Sequence, residues 1–258
     1  KKICRCFCNN FNMTTKKLIN IIYDNVKTLI WALLIAVLIR SLLFQPFYIP
    51  SSSMEPTLLV GDRIFVSKYT YGYSKHSFPF SPNISNERFF SKEPKRGDLV
   101  VFKTPADNRT DYIKRLIGLP GDNIIFKSGE IFLNGKKILR KKLNKNFKIN
   151  CGNFKFQVDA YEEILPNGVR YNTVYNSQGT LMNSENFIVP ENHYFFLGDN
   201  RDCSKDSRFL SSVGYVNFDN LVGKAKFIFF SNNTLEGSVL KIWNLNNSFR
   251  LDRLFKIL

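Results

Sequence analysis

Two apolar patterns divide the chain. Residues 14–27 are polar and basic, with Leu18, Ile19, Ile21, Ile22 and Val26 interspersed, and a continuous apolar run follows from Thr28 to Ile39. Arg40-Ser41 interrupts it and Leu42-Leu43-Phe44 completes it. As a helix, residues 26–44 would reach about 28 Å, close to the hydrocarbon thickness of a bilayer. Lys27 and Arg40 stand near its ends, where long basic side chains reach the interface. Pro46 disfavours a helical Gln45 and should end the segment. No small-x-small site with a polar start follows, so the segment reads as an uncleaved anchor rather than a signal peptide or a core helix. Lys16, Lys17 and Lys27 precede it, which puts residues 1–25 on the cytoplasmic side and the rest of the chain outside.

Beyond residue 58 the pattern changes to short strands and turns. Runs at 63–66, 98–102, 123–126, 130–133, 187–189, 193–197 and 225–230 are rich in Ile, Val and Phe, and Asn134-Gly135 marks a tight hairpin turn. No helical period follows until the last twenty residues, where a helix is one reading. Residues 136–186 are rich in Lys, Asn, Tyr and Gly, carry weaker strand signals, and read as an insertion or cap. The expected organisation is an anchor at 26–44, a catalytic β core at 45–135 and 187–235, an inserted cap at 136–186 and a C-terminal tail at 236–258. The class is mostly β.

Composition adds less. Of the residues, 44% are hydrophobic and 15% aromatic, with 25 Phe and 11 Tyr, so a large core is available. The net charge of +16 suits an anionic partner, whether nucleic acid or membrane surface. The only dense cluster is Lys136, Lys137, Arg140, Lys141 and Lys142, which reads as a solvated basic face before it reads as a polyanion site. Cys4, Cys6 and Cys8 form a C-x-C-x-C run without zinc-module spacing. Residues 1–12 read either as a leader or as an extension upstream of a start at Met13. Cys151 and Cys203 pair only if the fold brings them together. Tyr69–Tyr73 and Phe78-Pro79-Phe80 with Phe89-Phe90 form either a loop dipping into the membrane interface or a satellite core.

The chain has two histidines, His76 and His193, and His193 sits in an alternating strand where a structural role is the simpler reading. A serine hydrolase here would need another base, and lysine serves if it is kept neutral. Three serines follow the anchor in Pro50-Ser51-Ser52-Ser53-Met54-Glu55-Pro56-Thr57-Leu58. The other distinctive segments are G-D-x-x-x-V-x-K at 61–68, R-G-D-x-V-V-F at 96–102, D-Y-I-K-R-x-x-G-L-P-G-D at 111–122 and G-D-N-R-D-x-S-x-D-S-R at 198–208.

In this order the motifs resemble the bacterial type I signal peptidase family, a Ser–Lys serine protease family, from about residue 40 to about residue 230. The resemblance implies a signal-peptidase-like β-sheet catalytic core with an inserted cap subdomain, preceded by one transmembrane helix. It implies Ser53 as nucleophile and Lys114 as general base. A serine hydroxyl needs a neighbouring base, and a lysine qualifies only when burial lowers its pKa and no carboxylate touches it. Ser51 matches the family serine that joins the Ser53 backbone N–H in the oxyanion hole, and Ser204 the serine that orients the amine. Asp199, Asp206, Arg115 and Arg208 match charges that brace the site. Cys203 stands where the family usually has Asn.

Phe47, Ile49, Pro50, Tyr112 and Ile113 match positions near shallow pockets that admit small side chains, hence cleavage after A-x-A-like sequences. The substrate would bind extended along strand edges. No cofactor and no metal is implied. The expected partners are secretory pre-proteins, membrane phospholipids and the protein translocation machinery, at the bacterial inner membrane with the catalytic domain on the outer side. Two competing classes fit less well: a self-cleaving Ser–Lys repressor lacks its DNA-binding segment here, and a tethered nucleic-acid binder would want aromatics interleaved with clustered Lys/Arg.

Overall fold

The computed structural model describes residues 2–78, 81, 88–152, 154–176, 183–232 and 249–258. Helix α1 (Lys2–Leu42) opens the chain, and within it Lys17–Leu42 is long and apolar enough to cross a membrane. At 1.5 Å per residue that stretch reaches about 39 Å, longer than the 26–44 segment expected because the helix continues unbroken through the basic lead-in. Leu29, Ile30, Trp31, Leu33 and Leu34 are all exposed, an apolar surface that water does not favour. The side chains of Cys4, Cys6 and Cys8 lie outside what is described.

The helix stops at Leu42, and β1 (Phe44–Tyr48) begins at once. Pro46 is accommodated because β1 is the outer strand of its sheet, where a missing N–H costs no ladder bond. The seven-stranded sheet runs β1, β2 (Asp62–Ser67), β14 (Leu221–Ser231), β3 (Leu99–Lys103), β4 (Asp111–Gly118), β12 (His193–Leu197) and β13 (Val216–Asn217), with every pairing antiparallel. Its centre is β3, whose alternating side chains enter two cores. Leu99 and Val101 join Ile49, Met54, Leu58 and Ile64, while Val100 and Phe102 join Leu116, Phe196 and Val216. A strand covered on both faces reads as a continuous apolar run, as Leu-Val-Val-Phe does.

A four-stranded sheet orders β11 (Phe187–Ile188), β5 (Asn123–Lys127), β6 (Glu130–Leu133) and β7 (Lys136–Lys137). Asn134 and Gly135 both have positive φ, 50° and 76°, as the β6–β7 hairpin turn requires. The weak signals after residue 136 resolve into a third sheet of β8 (Leu139–Cys151), β9 (Phe154–Ile164) and β10 (Arg170–Tyr175). Of the tail, residues 233–248 lie outside the described residues. Residues 249–258 return beside β14 with one 3-10 turn, Leu251–Arg253, and Arg253 is ion-paired to buried Asp62.

Candidate active site

Ser53 lies in a single 3-10 turn, Ser52–Met54, between β1 and β2. Two bonds from the 198–208 segment pin this turn: Asn200 N–H donates to the Ser53 carbonyl and Asn200 Nδ2 to the Ser52 carbonyl, each at 3.1 Å. Gly198 permits the approach, since a Cβ there would sit 2.5 Å from the Ser53 carbonyl oxygen and 2.2 Å from Ser204 Oγ. Met54 is fully buried in the core on this side of the sheet and anchors the turn from below.

Lys114 comes from the middle of β4. Alternation alone would send a strand lysine to solvent, yet this one is 2% exposed. Its Nζ is 2.6 Å from Ser53 Oγ and 5.3 Å from the centroid of the Tyr112 ring. Burial is the largest influence on the amine and lowers its pKa to about 8, against opposing pulls from Asp206 and Asp199 and a further lowering by Arg208. Among the described residues no carboxylate forms an ion pair with it. Ser51 Oγ stands 3.2 Å from Ser53 Oγ on the exposed side.

The four charged residues singled out in the sequence form two buried pairs. Arg115 grips Asp199 through Nε and Nη2 at 2.8 and 2.6 Å and donates Nη1 to the Gly97 carbonyl. Arg208 holds Asp206 at 2.8 and 2.9 Å, and Gly198 N–H adds a third bond to that carboxylate. Burial pushes Asp206 up, but Arg208 and these hydrogen bonds outweigh it and keep the carboxyl below its usual range.

Ser204 departs from expectation. Its hydroxyl is buried without a hydrogen-bond partner among the described residues, and none runs to Lys114, whose amine is engaged by Ser53. Ser204 sits instead against Gly198. His193 Nδ1 pairs with the Glu191 carbonyl and His76 Nδ1 with Ser81; neither bonds to Ser53. Among the described residues no group of three His, Cys, Asp or Glu side chains could hold a metal.

A cleft of about 440 Å³ opens onto Ser53 and Lys114. Phe47, Ile49, Pro50, Tyr112 and Ile113 all line it, so residues from the outer strand and from β4 converge on one apolar groove.

Several partners were not legible in advance. Arg201 and Glu163 form a bidentate pair at 2.9 and 2.6 Å, and Tyr171 and Tyr175 donate their hydroxyls to the same carboxylate. Cys203, which lines the cleft, is disulfide-bonded to Cys151 at the end of β8, with Cα atoms 5.6 Å apart. Asn200, Arg201 and Gly198 carried a signal, being part of the G-D-N-R-D motif; Glu163 carried none, and the Cys151–Cys203 pairing depended on the fold bringing the two together, as it does.

Comparison with known proteins assigns the chain to a family. The sequence model described as "Signal peptidase, peptidase S26" matches residues 22–230. Signal peptidase I of Rickettsia massiliae is 41% identical over 247 residues, covering 88% of this chain and 90% of that protein. Signal peptidase I of Rickettsia conorii is 42% identical over 242 residues, covering 86% and 88%. A crystal structure of a signal peptidase I from Enterococcus faecalis aligns at 26% identity with a TM-score of 0.31, covering 52% of this chain and 97% of that one, and the assignment does not rest on it. The family match begins inside the apolar helix, runs through both halves of the Ser53–Lys114 pair and ends in β14, and on that match and those relatives the chain belongs to the signal peptidase family of S26 peptidases.

Proposed function

We propose that the chain cleaves signal peptides from secretory pre-proteins with Ser53 as nucleophile and Lys114 as general base; family membership makes it a peptidase acting on signal-peptide-bearing pre-proteins. The observation that carries the mechanism is the buried Lys114 amine, 2.6 Å from Ser53 Oγ and lowered to about 8. A neutral amine accepts the hydroxyl proton as Ser53 Oγ bonds to the scissile carbonyl carbon. Ser51 Oγ and the Ser53 N–H stabilise the oxyanion where its charge develops. The resulting ammonium gives its proton to the leaving amine, which departs as the N-terminus of the mature protein, while the signal peptide stays as an ester on Ser53. Water, deprotonated by the same amine, then attacks the ester, releasing the signal peptide carboxylate and restoring the Ser53 hydroxyl.

Asp199, Asp206, Arg115 and Arg208 serve as scaffold in this scheme. Ser204 keeps its place as the orienting serine only for steps after Ser53 is acylated, when the amine has lost its partner. The groove lined by Phe47, Ile49, Pro50, Tyr112 and Ile113 suits small side chains and hence A-x-A-like sites. With α1 as an anchor in the inner membrane, its N-terminus cytoplasmic, the cleft would face the outer side, near phospholipid headgroups and the translocation machinery.

The test is cleavage of an A-x-A precursor by full-length protein in detergent. Ser53→Ala and Lys114→Arg should both fall to background, because a guanidinium is not deprotonated in this range. Wild-type kcat/KM should rise with pH through about 8, since the neutral base accumulates above its lowered pKa. If His193→Ala removed that rise while Lys114→Arg retained it, the base would be histidine.

A further inference from the structure

A second cavity, of about 620 Å³, lies where α1 meets the main sheet. Arg40 of the last turn of α1, Gln45 and Phe47 of β1, and Lys68 at the end of β2 form part of its wall. The junction is tight: Lys68 N–H donates to the Leu43 carbonyl at 3.1 Å, and Tyr73 Oη to the Leu42 carbonyl at 2.8 Å. Five cationic side chains line the cavity, Arg40, Lys68, Lys75, Lys103 and Arg109, against two carboxylates, Asp107 and Asp111.

Both carboxylates are already engaged. Asp111 pairs with Lys103 at 2.8 Å. Asp107 accepts from the backbone of Arg109 and Thr110 and from the hydroxyls of Thr104 and Thr110. Arg40, Lys75 and Arg109 therefore have no ion pair among the described residues. Lys68 is 2% exposed, and among the described residues its ammonium donates only to the Ser77 carbonyl. Burial, reinforced by the charge of Arg40 and opposed by Asp111, lowers this amine to about 8, and the lining as a whole holds more cationic than anionic side chains. His76, 6% exposed, also lines the cavity, and its Nε2 is buried without a partner among the described residues. A buried polar atom of that kind is met by an ordered water or by a ligand.

We propose that this cavity binds a phosphate-bearing anion, the headgroup of an anionic phospholipid, held by Lys68, Lys75, Arg40 and Arg109 with His76 Nε2 as a hydrogen-bonding partner. The inference rests on the reading of α1 as a membrane span, which ends within a few residues of Arg40. Tyr73, bonded to the Leu42 carbonyl, and Tyr69, 43% exposed with its ring against Phe44, set aromatic side chains beside the same helix end, the side-chain type that favours the headgroup region. Soluble phosphate offers the same chemistry, but the position favours the lipid. Phe47 and Asp111 line both this cavity and the catalytic cleft, so an occupied headgroup site would brace the outer strand of the cleft.

The two histidines make the test direct. Full-length protein with 15N-labelled histidine, in a zwitterionic detergent, is titrated with dihexanoyl-phosphatidylglycerol, dihexanoyl-phosphatidylcholine or inorganic phosphate, while flotation with vesicles checks the span. Phosphatidylglycerol should shift the His76 ring signals and leave His193 unmoved, and phosphatidylcholine should do much less. The double variant Lys75→Gln/Arg109→Gln, at half-buried and exposed positions that the fold tolerates, should weaken phosphatidylglycerol binding about tenfold or more. Inorganic phosphate acting as well as the lipid would overturn the lipid as the source. A protein that floats with vesicles but whose His76 responds to no anion would overturn the site and leave the span standing. Failure to float with either neutral or anionic vesicles would overturn the span, and the proposal with it.

Discussion

Replacing Lys114 by Met should inactivate the protein and stabilise it. The unfolded lysine releases its proton near 10.5, whereas the buried amine does so at about 8. At about 1.4 kcal/mol per pKa unit, the charged form costs the fold about 3 kcal/mol at neutral pH. The hydrogen bond to Ser53 returns about 1 kcal/mol, which leaves a net penalty of about 2 kcal/mol that an apolar side chain of similar length removes. The pH dependence has a definite sign. Between about 8 and 10.5 the unfolded chain binds more protons than the folded one, so wild-type stability gains through Lys114 a rise that the variant lacks, on top of the rise that both share through Lys68. Below 8 the penalty is fully present; above 10.5 it is gone. Denaturant unfolding of full-length wild type and Lys114→Met in detergent, at pH 6.5 and at pH 10.5, measures both ends. The variant should lead by about 2 kcal/mol at the first pH and lose its lead at the second. A variant less stable than wild type at pH 6.5 would mean that the amine is not desolvated, and the account of how it becomes a base would fall with it.

Gly198→Ala should lower kcat by about 10² or more with the fold retained, because the new Cβ meets the Ser53 carbonyl and Ser204 and moves the nucleophile turn by a fraction of an ångström; single-turnover cleavage beside a circular dichroism melt checks it. Glu163→Gln should destabilise by about 3–5 kcal/mol, since it leaves the Arg201 guanidinium buried without its counter-charge, and a loss under 1 kcal/mol in denaturant unfolding would contradict the assignment. Cys151→Ser/Cys203→Ser should cost about 4 kcal/mol, the value for opening a loop that spans 52 residues, and the same loss should appear in wild type under dithiothreitol.

What the sequence discloses about this fold follows from how each element is covered. The apolar helix declares itself because residues 28–39 are apolar on every side, β5 and β6 because their burial alternates, and β12 because it is an unbroken apolar run covered on both faces. β1 does not: Pro46 marks where the helix ends, but Phe-Gln-Pro-Phe-Tyr has no alternation of its own, and only its partner β2, pairing Pro46 with Phe65, makes it a strand. β8 and β9 give weak signals because their ends are largely exposed, so Lys and Asn fill positions that a covered sheet would give to Val and Ile. The motif segments name Ser53 and Lys114, but no local pattern predicts that Lys114 is buried. That depends on the 3-10 turn of Ser52–Met54 and the Tyr112 ring lying over it, contacts 61 residues apart for the serine alone. The Cys151–Cys203 bridge likewise depends on the end of β8 meeting the 198–208 segment, which spacing alone does not show.

The buried ion pairs around the site make sense through what they withhold. Buried pairs add little net stability, since desolvation of both charges consumes most of their attraction. Here three carboxylates, Asp199, Asp206 and Glu163, are each gripped by a guanidinium, from Arg115, Arg208 and Arg201. Two of them, Asp206 and Asp199, pull the Lys114 amine towards its charged form, and Arg208 pushes the other way. A free carboxylate at either position would seek the nearest cation, and an ammonium held that way is no base. Arginine suits the blocking role because its fork takes both carboxylate oxygens at once and it keeps its proton in a dry site. Two of the pairs also hold backbone in place: Asp206 accepts from Gly198 N–H, beside the Ser52–Met54 turn, and Arg115 reaches Gly97 ahead of β3. With the negative charge spent on these partners, burial has the largest say over Lys114, and the amine is left with a serine hydroxyl as its hydrogen-bond partner.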